Sequence, residues 1–396
     1  MNRRTWLPAV FAMFCCGWGG NQFTPLLLLY RRTGGYSTVE VDLFLGTYVV
    51  GLVPGLLVAG ALSDRHGRKP LMLVGTALSV VSSLFLMVGQ TWALYGGRLL
   101  TGVAVGIAMA VGTSWVKELS QPPFDPAADV SAGARRAAMG LTLGFGLGAG
   151  VAGVLAQWGP HPTVTPYVVH VVLALAALSL LRAVPESRTA PAAGSLWSLL
   201  KVPAVAHRRF LRVVLPMAPW VFGSAGIAYA VTPQLVGDRL GNWGLAYATL
   251  LTVCTLGTGA LVQPLAKRLD SVSTARAIVV AMVLMSAGVG LSAVVADVGS
   301  PWLGLLDGVL LGAAYGIAVV SGLLEIQRIA ALSGGADLAG LTGVYYAAAY
   351  TGFLLPTVLA AVAGLAPYVV LLGVVALVTL ACTAVVLASS RRHLPA

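Results

Sequence analysis

Twelve apolar runs, each of the length a helix needs to cross about 30 Å of hydrocarbon, constrain this chain more than any other feature. They fall near residues 7–29, 43–62, 71–89, 92–115, 138–158, 165–183, 213–236, 243–265, 276–296, 302–324, 339–362 and 366–388. In hydrocarbon the backbone finds no water to bond, so such runs become helices that satisfy their own N–H and C=O groups. Composition agrees: 9% of the 396 residues are charged and 58% are apolar, where a soluble domain carries about 25% charged residues. The first run follows Arg3 and Arg4, but it is too long for a signal-peptide core and lacks a small-residue cleavage site before Arg31. It reads as the first span of an all-α, multi-pass membrane protein.

Positively charged loops resist translocation, so the basic residues orient the chain. With the N-terminus inside, 20 of the 24 Lys and Arg lie on the cytoplasmic side, the exceptions being Arg31, Arg32, Arg98 and Arg239. Both termini are therefore expected in the cytoplasm, with the protein in the plasma membrane. The net charge of +11 is the same bias; spread over many short loops, it gives no nucleic-acid surface. The longest connection, with Pro185-Glu186-Ser187 and the cluster from His207 to Arg212, reads as a cytoplasmic linker, part of it amphipathic along the membrane. A second long loop, Glu118 to Arg136, carries Pro122, Pro123 and Pro126 and reads as irregular.

An internal repeat at an offset near 205 residues divides the chain into an N-terminal bundle (1–184), the linker (185–212) and a C-terminal bundle (213–396). Thr24-Pro25 in span 1 meets Thr232-Pro233 in span 7, and Arg98 in span 4 meets Asp307 in span 10 with its charge inverted. The turn after span 2 meets Pro264–Asp270, with Lys267 where Asp64 stands.

That turn, Gly60-Ala-Leu-Ser-Asp64-Arg65-His-Gly67-Arg68-Lys69-Pro70, packs four charges between two apolar runs. It resembles the signature loop between helices 2 and 3 of the major facilitator superfamily of secondary transporters. Arg98-Leu-Leu-Thr-Gly102 and Pro185-Glu186-Ser187 are similar to further motifs of that family. Gly144–Val151 resembles the antiporter motif of helix 5, with Val151 where that motif carries proline and Val154-Leu155 where it carries a glycine pair. The resemblance implies two pseudo-symmetric six-helix bundles flanking a cavity that opens alternately to either side. It also implies a conformational latch at Gly60, Asp64, Arg65, Gly67, Arg68 and Lys69, in which the Asp64 carboxylate approaches the N-terminal end of helix 11. Arg68 is expected to pair with Glu118 at the end of helix 4, and Gly67 to allow a positive φ. The bland reading of the same loop is a topology determinant.

Charges inside spans cost about 2.5–3.5 kcal/mol at the helix centre, which singles out Arg98 and Asp307, each about 8–10 Å deep at 1.5 Å per residue. Asp307 is the candidate proton site and Arg98 its electrostatic partner; the alternative is an interfacial Arg and an Asp serving the first turn of helix 10. Should Asp307 fail, Asp42, Glu118 and Glu325 are the remaining acids to consider. Asn21, Gln22, Tyr229, Gln234, Tyr315, Tyr346 and Tyr350 are candidates to line a substrate cavity, or else interhelical packing partners. Of the three tyrosines Tyr345, Tyr346 and Tyr350, the last two share a face by their i, i+4 spacing. Gly140, Gly144 and Gly148 form a small-residue ridge for close helix contact, and Asp337 is an expected N-cap of helix 11.

Five histidines (66, 161, 170, 207, 393) and four cysteines (15, 16, 254, 382) show no metal or disulfide spacing. There is no nucleotide-binding loop. The chain is accordingly read as a non-enzyme without cofactor or metal, monomeric, whose partners are a small-molecule substrate, protons and the lipid bilayer. Cavity positions almost free of charge favour proton-coupled efflux of amphipathic drug-like or metabolite molecules. The alternatives are proton-coupled uptake of sugars, amino acids or organic acids, and a non-transporting membrane sensor on the same fold.

Overall fold

The structure, a computed structural model, describes residues 4–129, 131–188, 201–332, 338–392 and 394. Every regular element among them is helical. Ten helices are long and apolar enough to cross a membrane: span 2 (Thr38–His66), span 3 (Arg68–Val88), span 4 (Thr91–Leu119), span 5 (Ala132–Trp158), span 7 (Phe210–Leu235), span 8 (Gly241–Leu269), span 9 (Arg276–Val298), span 10 (Pro301–Ala331), span 11 (Leu338–Val362) and span 12 (Tyr368–Ser389). Span 6 is the shorter Thr165–Leu181. Span 1, expected to run unbroken over 7–29, is two helices, Leu7–Asn21 and Leu27–Gly34, joined by a 3₁₀ turn at Thr24–Leu26. With these the set of twelve is complete. Asp337 lies outside the described residues, as do residues 189–200 of the linker between spans 6 and 7.

The break in span 1 has a covalent cause. Pro25 has no N–H, and its ring crowds the carbonyl four residues back, so the chain re-forms after it. Span 7 answers with a π-helical turn, Ile227–Val231, directly before Thr232-Pro233. The Thr-Pro pair that marks the repeat in sequence therefore marks a discontinuity in both copies. Spans 4 and 11 are also interrupted, by a π turn at Ala108–Gly112 and a 3₁₀ turn at Thr351–Leu354 ahead of Pro356. At its start span 2 is closed by a reciprocal cap: Ser37 N donates to Glu40 Oε2 at 2.8 Å and Glu40 N to Ser37 Oγ at 3.2 Å, the capping-box arrangement.

Contacts divide the chain into two compact units, residues 1–26 with 47–201 (unit 1) and residues 27–46 with 202–396 (unit 2). Residues 27–46, placed by sequence in the first bundle, group with unit 2. There Arg32 donates to the carbonyls of Gly241 (2.9 Å) and Gly237 (3.4 Å), and Gln234 Nε2 lies 3.4 Å from Asp42 Oδ1.

Glycine sets the packing in each unit. In unit 1 the ridge Gly140, Gly144, Gly148 of span 5 presses on span 1: a Cβ at Gly144 would lie 2.3 Å from Phe14 O, and one at Gly148 2.6 Å from Trp18 O. Spans 2 and 4 approach as closely, with Gly102 against Tyr48 O at 2.0 Å. Unit 2 repeats the pairing, span 11 on span 7 (Gly352 against Pro219 O, 2.0 Å) and span 10 on span 8 (Gly316 against Gly259 O, 2.1 Å). Pairs 1/5 and 2/4 are thus matched by 7/11 and 8/10, the pattern of a duplicated bundle. Between tails as apolar as the side chains themselves, such backbone contact is what holds helices together. The outward faces are apolar: Val50, Val172, Leu377 and Leu387 are each more than half exposed, as a lipid-facing surface requires.

Candidate functional site

In unit 1, Arg98 is fully buried on span 4. Its guanidinium lies 4.7 Å from the ring centroids of both Phe23 and Tyr48, and Nη1 donates to Gly20 O at 3.3 Å. Gly20 belongs to the last turn of Leu7–Asn21, whose final carbonyls have no helical partner, so the break in span 1 makes this acceptor available. Arg suits the place because its planar, weakly hydrated cation stacks on aromatic faces. The next two residues are fastened too. Asn21 Nδ2 donates to Phe145 O (3.1 Å), and Gln22 Nε2 to Ser83 Oγ (3.0 Å). Ser83 Oγ in turn lies 2.7 Å from His170 Nδ1, while His170 Nε2 faces Cys15 O at 2.9 Å. One tautomer satisfies the chain: Nε2–H donates to the carbonyl, and Nδ1 accepts from the serine. Asn21 and Gln22, expected at a cavity, therefore tie span 1 to spans 5 and 3.

In unit 2, Asp307 occupies the corresponding depth of span 10 and is fully buried. Its Oδ2 accepts from Ser292 Oγ at 2.8 Å and Thr232 Oγ1 at 3.3 Å, and its Oδ1 has no hydrogen-bond partner among the described residues. The hydroxyls come from spans 9 and 7. Thr232 is there because the residue before Pro233 sits at the helical restart of span 7. Neither Ser292 nor Thr232 was singled out from sequence as a ligand, since lone hydroxyls in apolar runs carry no spacing signal.

One turn before Thr232 stands Tyr229, the edge of an aromatic cluster. Tyr350 stacks on Phe222 at 4.0 Å, Phe222 meets Tyr315 at 5.6 Å and Phe353 at 5.0 Å, and Phe353 lies 6.1 Å from Tyr229. Three tyrosines expected from sequence are thus gathered by two phenylalanines it passed over. Tyr345 and Tyr346 pair with each other, centroids 5.4 Å apart, with Tyr345 OH donating to Ala318 O at 3.2 Å. Gln234 bonds Asp42, a second buried carboxylate of unit 2.

The charged turn is tied into unit 1. Arg68 reaches Asp64 (2.9 Å) and Glu118 (3.0 Å), and Asp64 also pairs with Arg188 at 3.2 Å. Gly67 has φ +99°, which L side chains adopt only under strain. The Glu186 carboxylate lies over it and accepts from the N–H groups of Arg68 (3.0 Å) and Lys69 (2.9 Å), capping the positive end of span 3. Lys69 Nζ donates to Arg182 O at 2.7 Å. Arg65 is exposed, and a Cβ at Gly60 would meet nothing within 4 Å. The repeat alignment put Lys267 opposite Asp64; in unit 2 the acid that forms an ion pair there is Asp270, with Arg328, while Lys267 is exposed. Glu325, the counterpart of Glu118, grips Arg209 through two bonds of 3.0 and 2.9 Å, both side chains buried.

The sequence profile of the Major Facilitator Superfamily matches residues 9–336. The chain belongs to the major facilitator superfamily. Its fold is that of solved transporters of the superfamily: a mutant form of nucleoside transporter NupG aligns at TM-score 0.76 with 12% identity, covering 97% of this chain and 99% of that one. A D-xylose-proton symporter aligns at TM-score 0.66 with 15% identity, covering 94% and 96%. Among curated proteins, multidrug resistance protein MdtL of Escherichia coli O45:K1 (strain S88 / ExPEC) is 31% identical over 83 residues, 21% of this chain and 21% of that protein. MdtL of Shigella flexneri serotype 5b (strain 8401) is 30% identical over the same length. The chain spans about a fifth of the length of these relatives in the matched region. As a member of the superfamily it is a multi-pass membrane protein with the architecture of a transporter of small molecules.

Proposed function

We propose that this superfamily member is a secondary active transporter that exports small amphipathic molecules in exchange for protons, by alternating access of its two bundles in the cytoplasmic membrane. One observation carries the reading: a fully buried carboxylate, Asp307, held by two hydroxyls on a single oxygen. An ionised carboxylate so placed is expensive to bury unless paired, whereas the neutral acid needs only a hydroxyl network, so gain and loss of a proton on Oδ1 is the change this site is built to sense. A proton bound there alters the bonds of Thr232, one turn from Tyr229 and the aromatic cluster. The aromatic cluster suits flat or amphipathic solutes better than sugars, which need many convergent hydrogen-bonding groups. The partial likeness to multidrug resistance proteins points the same way.

The roles of the other residues follow as parts of this proposal. Arg98 supplies a permanent charge in unit 1, the turn from Asp64 to Lys69 with Glu118 latches one conformation, and both termini face the cytoplasm. The purified chain in proteoliposomes, given an inward-acidic gradient, should accumulate a fluorescent amphipathic cation and collapse the pH gradient as it does so. Accumulation of pentoses or nucleosides when the gradient is reversed to an acidic exterior, with the amphipathic dye not taken up under the inward-acidic one, would replace export by uptake symport.

A further inference from the structure

At one end of unit 2 the chain enters span 9 through Ser271, Ser273 and Thr274 and leaves span 12 through Ser390, Arg391 and Arg392. Together with Arg276 these residues rim a cleft of about 810 Å³ whose inner wall is Val279, Val280 and Leu387. Arg276, Arg391 and Arg392 are all exposed, and none of the lining residues is acidic. The cleft is therefore cationic at its mouth and apolar along the helices beneath.

The rim is held in place from inside. Arg209, buried to 1% exposure, uses Nε and Nη2 on Glu325 and turns Nη1 to the carbonyls of Ser390 (2.7 Å), Arg392 (3.2 Å) and Ser389 (3.4 Å). Ser390 Oγ accepts from Ala275 N at 2.9 Å, the residue that opens span 9. This buried pair thus pins the end of span 12 to the start of span 9, so that little ordering remains to be done when a ligand arrives. Arg276 is steadied by Nε on Leu269 O (2.8 Å) and keeps further donors for the cleft. Beside it Val272 is 74% exposed and Leu387 60%, apolar side chains at the level where spanning helices end.

We infer that this cleft binds the phosphate headgroup of an anionic phospholipid. Guanidinium forks match phosphate oxygens in charge and geometry, the hydroxyls of Ser271, Ser273 and Thr274 suit the glycerol and ester oxygens, and Val279, Val280 and Leu387 receive the upper acyl chain. The apolar wall is what selects a lipid over a soluble anion, because a free phosphate gains nothing from it. A basic pocket between helix ends at the membrane surface is the setting in which anionic headgroups are recognised.

The test uses the full chain purified in a neutral detergent and titrated separately with phosphatidylglycerol, phosphatidylcholine and inorganic phosphate, read by unfolding temperature and by lipid retained in native mass spectrometry. Phosphatidylglycerol should be retained and should raise the unfolding temperature, and the other two should not. The double substitution Arg391→Ser with Arg392→Ser should weaken phosphatidylglycerol binding about tenfold or more while leaving the lipid-free unfolding temperature unchanged. Equal retention of phosphatidylcholine, or full phosphatidylglycerol binding by the double variant, would overturn the inference. Equal protection by inorganic phosphate would overturn the lipid assignment in favour of a soluble-anion site.

Discussion

Arg98 and Asp307 occupy the same place in the two copies of one repeat, and the protein shelters the two charges by opposite means. Arg98 lies against two aromatic rings and donates to a backbone carbonyl; Asp307 accepts from two hydroxyls of two other spans. The difference follows from the ions. A guanidinium spreads its charge over a plane that ring faces can cover, and it stays charged at any working pH. A carboxylate is compact, repelled by ring faces, and can shed its charge by taking a proton. On the function proposed above, the duplicated scaffold would hold a fixed charge in one unit and an exchangeable one in the other.

The sharpest way to break this contrast is to exchange only the titrating side. Asp307→Asn keeps the shape and the hydroxyl bonds, and it should reduce proton-driven accumulation to the background of empty liposomes while leaving substrate binding intact. Arg98→Lys keeps the charge and loses the stacking, worth about 0.5–2 kcal/mol, so it should lower the unfolding temperature yet leave the pH dependence of transport as it was. If the Asn variant still pumps uphill with an unchanged pH profile, the division between fixed and exchangeable charge fails, and Asp42 becomes the acid to test.

The ends of the two units sharpen the comparison further. Glu118 and Glu325 both grip an arginine, but the Glu118 side chain is 34% exposed and that of Glu325 only 3%. Breaking a fully buried pair strands its partner at about 3–5 kcal/mol, whereas the partner of Glu118, Arg68, also pairs with Asp64 at 2.9 Å. Glu325→Gln should therefore destabilise the purified protein severely, and Glu118→Gln, which leaves Arg68 its contact with Asp64, should lower the unfolding temperature less while changing the transport rate. Similar losses of stability in the two variants would show that burial does not separate the sites.

The smallest expected effects lie within one turn. At Gly67 a Cβ would meet the Glu186 carboxylate at 2.5 Å on a backbone of φ +99°, whereas at Gly60 it meets nothing. Gly67→Ala should cost at least about 1–2 kcal/mol from the left-handed backbone alone, and Gly60→Ala should stay within about 0.5 kcal/mol. Thermal unfolding of the two variants side by side decides it. A destabilised Gly60→Ala would mean that this glycine has a neighbour in another conformation of the transport cycle.

Hydrophobic length determined the spans, because a helix crossing hydrocarbon needs about 20 apolar residues whatever it packs against. The charged turn and the Thr-Pro repeat were legible for similar reasons: a run of charges between apolar segments and a residue without an N–H are properties of the chain itself. The glycine ridge of span 5 was legible too, since spacing alone puts Gly140, Gly144 and Gly148 on one face. What each polar side chain does was decided by tertiary structure. Gln22 went to Ser83, 61 residues away, and Phe222 and Phe353, unremarkable in apolar runs, bind three tyrosines into one cluster. Ser292 and Thr232 became ligands of Asp307 only because spans 9 and 7 flank span 10. A hydroxyl or a ring carries no record in sequence of which neighbour it will meet, since any helix of the bundle can supply that neighbour and only close packing selects among them.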